Sequence, residues 1–182
     1  MADTKKKRRR TYLESFHKDQ DGKYVYQGDV YTYQGNGEQG GECNLRCELR
    51  KLWGWCIVLL GSLAAAGCVT APGMDNCFYV LLPYAAGLMA GISVCWALCR
   101  LTSGSSPLKA YVYEASVKAL PARTILTALC AGVCIVGEIV FVLRQGTGEK
   151  TVSFGFFMAL NVLVLVSSLM LRKRIRSMQW TK

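Results

Sequence analysis

The sequence predicts an all-α membrane protein: a compact antiparallel four-helix transmembrane bundle with a short cytosolic N-terminal tail. Three observations predict it. Four long apolar runs lie at 52–71, 78–99, 125–143 and 152–171. No charge interrupts the chain between Lys51 and Asp75, between Asp75 and Arg100, or between Lys150 and Arg172. Threading the runs alternately across a bilayer puts every one of the 22 Lys and Arg residues on one face, except Arg144 and Lys150. A helix needs about 20 apolar residues to cross a hydrocarbon core about 30 Å thick. Basic residues are retained on the cytoplasmic side, so both termini are expected inside.

The organisation that follows has three parts. Residues 1–51 form a basic, polar tail, 52–171 the bundle, and 172–182 a basic C-terminal tail. The net charge of +10 raises the question of nucleic acid. Its distribution argues against that partner. The basic residues concentrate in Lys5, Lys6, Lys7, Arg8, Arg9 and Arg10, and in Arg172, Lys173, Arg174 and Arg176, two blocks that flank spans. Such blocks hold topology and touch anionic lipid, each residue contributing about 1 kcal/mol near the surface. The basic start runs into polar residues rather than an apolar h-region, so the first span itself is expected to direct insertion.

Within the tail the pentad YxYQG occurs twice, at 24–28 and 31–35. Gly28-Asp29 between the two suits a two-residue turn. Pairing across it would set Tyr26 opposite Tyr31 and Tyr24 opposite Tyr33, which makes these four tyrosines the partner-binding candidates. The repeat therefore predicts either a tyrosine-rich hairpin over 23–34 or an unstructured tail with a chance repeat. Residues 42–51 read as a juxtamembrane helix running into the first span, with Trp53 and Trp55 at the interfacial belt.

In the 100–123 connector, Ser106 and Pro107 look like a helix start and Pro121 like its stop, giving a helix over 107–120. Small pairs spaced by four recur in every span: Gly61/Ala65, Gly87/Gly91, Ala128/Gly132 and Gly155/Ala159. This spacing lets helix backbones approach closely where lipid gives no hydrophobic drive for association. Pro83 is expected to bend the second span.

Glu138 is the one charged side chain well inside a predicted span, about 9 Å from Arg144 at a helical rise of about 1.5 Å per residue. A carboxyl group in that position is a candidate functional group, with Asn161 of the fourth span as its partner. Protonated and hydrogen-bonded, it would hold helices together. Titrating in a wet crevice, it would couple proton movement to transport.

The nine cysteines include three pairs at i and i+4, Cys43/Cys47, Cys95/Cys99 and Cys130/Cys134. Thiol redox and zinc sites favour CxxC instead, so helix packing is the better reading of this spacing. Cys68 and Cys77 near the outer face would be either a disulfide or two free thiols. The segment HKDQDG fails as a calcium loop, because His17 and Gly28 stand where carboxylates are needed. The single histidine, His17, has no nucleophile or ligand cluster beside it.

No cofactor is expected, and the chain reads as a non-enzymatic scaffold, accessory subunit or assembly factor that meets a protein partner or itself. The alternative is a small proton-coupled transporter or channel subunit using Glu138. A bacterial cytoplasmic membrane is the expected location, with a eukaryotic endomembrane as the other.

Overall fold

The computed structural model describes residues 16–18, 24–26, 28–34, 41–72, 77–103, 107–146 and 151–181. The basic block 5–10, Ser106, Lys150 and Lys182 lie outside them, and Tyr24 is described by its backbone alone. In chain order the elements are β1 (Phe16–Lys18), β2 (Tyr24–Tyr26), β3 (Val30–Tyr33), α1 (Gly41–Cys68), α2 (Phe78–Ser103), β4 (Leu108–Lys109), α3 (Ala110–Ala115), α4 (Leu120–Gln145), α5 (Thr151–Ser177) and β5 (Trp180–Thr181).

The four long helices are each long and apolar enough to cross a membrane, and they define a multi-pass integral membrane protein. They form an antiparallel ring in which α1 packs on α2 and α5, and α4 packs on α2 and α5; α1 and α2 touch least. Leu52, Leu59, Val94, Leu98, Ala131, Val164 and Leu171 fill the interior. Large apolar side chains also cover the outside: Trp96 is 71% exposed, Leu143 80% and Val152 80%. Exposed apolar surface on this scale suits lipid and not water. Gly146 ends α4 at φ 75°, a positive value that glycine adopts without steric cost, and its N–H donates to Val142 O at 2.8 Å.

Each of the four long helices is longer than the apolar run that signals it, although α1 ends at Cys68, short of the expected 71. α1 begins ten residues or so before the first span, as one continuous rod with the juxtamembrane segment. The connector departs from expectation. It holds the short strand β4 and a six-residue helix, α3, and then α4 begins at Leu120. Pro121 starts a helix here instead of stopping one: its missing N–H is no loss in a first turn, and its fixed φ suits a helix entry. The expected helix over 107–120 is replaced by β4, α3 and a turn.

The tail also forms strands, but with different partners. β2 makes an antiparallel hairpin with β1, pairing Phe16 with Tyr26 and Lys18 with Tyr24. β3 is the centre of a three-stranded sheet ordered β4-β3-β5. Tyr31 pairs with Leu108 of the connector, and Tyr33 with Trp180 of the C-terminal segment. The expected Tyr26–Tyr31 and Tyr24–Tyr33 pairs do not form. The cause lies at the turn. Tyr26 folds its ring over Gly28, where any Cβ would meet the phenol oxygen, and donates to Asp29 O at 3.3 Å. Ala110 N donates to the same Asp29 carbonyl at 2.9 Å, which hands β3 to the connector.

Three segments remote in sequence are thus joined at one end of the bundle. The tail, the connector and the C-terminal segment share that end, and their lysines and arginines make it the basic end.

Candidate functional site: an aromatic cap and a buried carboxylate

The cap over the basic end is held by rings. Tyr31 stacks on Tyr113 at 4.2 Å between centroids and 10° between planes. Trp180 meets Tyr33 edge-on at 5.6 Å and Tyr113 at 5.8 Å. On the neighbouring hairpin, Tyr26 lies between Phe16 at 5.2 Å and Tyr111 at 6.0 Å. Two cations close over this second group: Arg100 sits 5.7 Å above Tyr111, and Lys109 5.6 Å above Tyr26. Aromatic pairs in these geometries contribute about 0.5–1.5 kcal/mol each beyond the area they bury. The structure therefore uses Tyr26, Tyr31 and Tyr33 inside the cap, against partners that sequence spacing did not reveal. Alternation along the tail places tyrosines on one face; nothing local announces that Tyr113 and Trp180 complete it.

Beside the cap a polar cavity of about 440 Å³ opens among Tyr33, Gln34, Cys47, Glu48, Lys51, Arg174, Ser177, Met178 and Gln179. Its charges are ordered by Glu48, which takes Lys51 Nζ at 2.6 Å and Arg174 Nη1 at 3.3 Å. The second of these ties α1 to α5. Gln34 N donates to Gln179 O at 3.1 Å and holds the rim where the sheet ends.

At the opposite end Glu138 is fully buried on α4. Its turn packs against the first turns of α2. Gly137 brings the bare α4 backbone against Val80 and Tyr79, and an added Cβ would stand 3.3 Å from Tyr79 O. That carbonyl lacks its usual helix bond, because Pro83, four residues on, has no N–H to give. Cys134 donates its S–H to Val80 O at 3.7 Å, one turn from Glu138. Tyr79 stands within electrostatic range of both Glu138 and Arg144. Asn161 is buried on α5, and its Nδ2 donates to Phe157 O at 3.0 Å, one turn back on its own helix. The structure places both polar residues on interior faces, and one amide N–H of Asn161 is spent on its own helix.

Other buried hydroxyls behave like Asn161. Ser62 donates to Val58 O, Thr127 to Arg123 O, Ser167 to Leu163 O and Ser168 to Val164 O, all on their own helices. Besides the Cys134 thiol, two longer side chains make bonds that cross between helices. Tyr84 Oη donates to Leu63 O at 2.7 Å, and Arg123 Nη1 reaches Ser93 O at 2.7 Å. The reach of Arg123 into the bundle was not legible from its place at the end of the connector.

The cysteines serve contact. Cys130 lies where a Cβ on Gly87 would come to 3.2 Å, and Cys56 is buried in the α1 face of the core with Cys95 of α2 packed against it. Cys68 and Cys77 are free thiols. Among the described residues no three His, Cys, Asp or Glu side chains gather closely enough to hold a metal ion.

The small pairs differ in role. A Cβ at Gly91 would sit 2.8 Å from Leu63 Cδ1 and 3.2 Å from Leu59 Cδ2, so α1 and α2 meet there. Around Gly61, Gly132 and Gly155 a Cβ would meet nothing within 4 Å. The expectation of a packing seam in every span fails for those three, since spacing by four selects a face without saying which way it points.

Compared with protein-family models, with curated proteins and with solved structures, the chain matches none of them.

Proposed function

We propose that this chain is a non-enzymatic accessory or scaffold subunit of a membrane complex, with the basic end cytosolic and the cap facing its protein partner. The observation that carries the reading is the cap. Three remote segments and two groups of rings are joined there into one surface, beside a concave polar cavity whose charges are already ordered. A surface whose polar groups are already held in place has less to order when a partner binds. The basic flanks, including Lys173 and Arg176, would hold that surface against anionic lipid. The membrane is proposed to be a bacterial cytoplasmic one.

Affinity purification from native membranes in mild detergent, with cross-linking and mass spectrometry, tests the reading. A stoichiometric partner cross-linked to the cap, and lost in Trp180→Ala, is the expected result. A partner-free monomer whose behaviour is unchanged by deleting residues 11–41 would overturn it.

A second reading rests on one observation, the complete burial of Glu138 in a spanning helix. Intramembrane carboxyl groups mark ion pathways often enough to make a proton-coupled transporter the alternative. The self-bonded interior hydroxyls favour the scaffold reading, because a path needs polar groups that face it. Proteoliposome flux decides between them: a pH-dependent flux abolished by Glu138→Gln would establish transport, and equal flux in the two proteins would remove it.

A further inference from the structure

The outer surface of the bundle carries a groove between α4 and α5. It encloses about 540 Å³ and is lined by Ile125, Ala128, Gly132, Val136, Leu165 and Leu169, among others, with Arg172 at one end. Its origin is the small pair described above. Ala128 and Gly132 leave room that a larger side chain would fill. The helix directions place Ile125 and Arg172 toward the basic end and Val136 near mid-depth of the span, on its outward face.

We infer that this groove is a binding site for one anionic phospholipid, with an acyl chain along α4 and the phosphate on Arg172. Three observations select this occupant. The walls are apolar, as a hydrocarbon chain requires. From Ile125 to Val136 the groove runs about 16 Å at a rise of about 1.5 Å per residue, roughly the half-thickness of a core about 30 Å across. One leaflet's acyl chain has that reach. Finally, the Arg172 side chain is partly buried at the mouth, and its enclosed Nε makes no hydrogen bond among the described residues. With no partner for that nitrogen, the guanidinium keeps its full positive charge at the groove mouth, and a phosphate at the leaflet surface would accept from its outer N–H groups with the added strength of opposite charge. A zwitterionic lipid would offer the same chain with a weaker net attraction.

The test uses the full chain reconstituted in vesicles of equal parts phosphatidylglycerol and phosphatidylcholine with matched acyl chains, then extracted in mild detergent for native mass spectrometry. The wild type should retain one phosphatidylglycerol in about tenfold preference, the worth of about 1.4 kcal/mol. Arg172→Gln should bring that preference close to one, while Lys118→Gln, which removes an exposed charge at the same end, should leave it. Gly132→Phe should lose both lipids, because the new ring occupies the groove; size exclusion reports whether each variant is folded, and Gly132→Leu serves if the larger ring prevents it. Equal retention of the two lipids by the wild type would overturn the inference. So would an equal loss from Lys118→Gln, which would mean diffuse surface charge. A lipid-free dimer disrupted by Gly132→Phe would assign the groove to a second copy of the chain instead.

Discussion

At the basic end the interior runs without a break from the helices into the cap. Leu52, Leu98 and Leu171 continue into Leu108, Val112, Ile175 and Met178, and Tyr33, Tyr113 and Trp180 pack against them. At the opposite end a separate cluster of Ala66, Ala71, Val80 and Phe157 closes the bundle, with Tyr84 and Leu160 alongside. One end is thus ordered by many shared contacts among segments from the whole chain. The other depends on a few side chains around one large ring. In lipid there is little hydrophobic gain from bringing helices together, so close packing carries their association. A region with few contacts then has little to redistribute when one is lost.

This contrast predicts the largest effect at the end with fewer contacts. Phe157→Ala should cost about 3 kcal/mol, because the cavity left beside Tyr84 and Val80 has no neighbour free to fill it. Unfolding in mixed detergent micelles measures it, and a loss below about 1 kcal/mol would show that this end relaxes as readily as the other. Trp180→Ala comes next. It removes two edge-on ring contacts, of about 1 kcal/mol each, from the cap. The bundle should unfold as the wild type does, while proteolysis of the tail accelerates about thirtyfold, the factor that about 2 kcal/mol commands. A joint loss of cap and bundle would mean that the two are one cooperative unit. The smallest effect belongs to Arg174→Gln. Its partly exposed bond to Glu48 is worth about 0.5 kcal/mol, and high salt applied to the wild type should reproduce the variant.

The same contrast decides what could be read from the residues alone. Spans announce themselves by local composition, and the helices at Phe78–Ser103 and Thr151–Ser177 begin within a residue of the apolar runs at 78–99 and 152–171. Glu138 stands out for the same reason, as an acid among apolar neighbours. Strand formation around Tyr24–Tyr26 and Val30–Tyr33 was legible from the tyrosine alternation. Pairing was not. β3 finds its neighbours at Leu108 and Trp180, and a two-residue strand has no signal of its own. Pro121 was misread because the residue that opens a helix can also end one, and the choice depends on what surrounds it. The small pairs were legible as faces but not as directions: Gly91 points at Leu63, and Gly132 at open space.

The central place of β3 in its sheet has a consequence for how the protein is made. Its two neighbours are synthesised far apart in time, β4 before α4 and β5 only after α5. At about 5–20 residues per second, the wait between Tyr33 and Trp180 is on the order of ten seconds. During that interval the spans can already be entering the membrane while the tail still lacks one flank. Completion of the cap therefore reports that translation has passed Thr181, and a nascent chain that stalls earlier exposes β3 to whatever surveys unfinished membrane proteins.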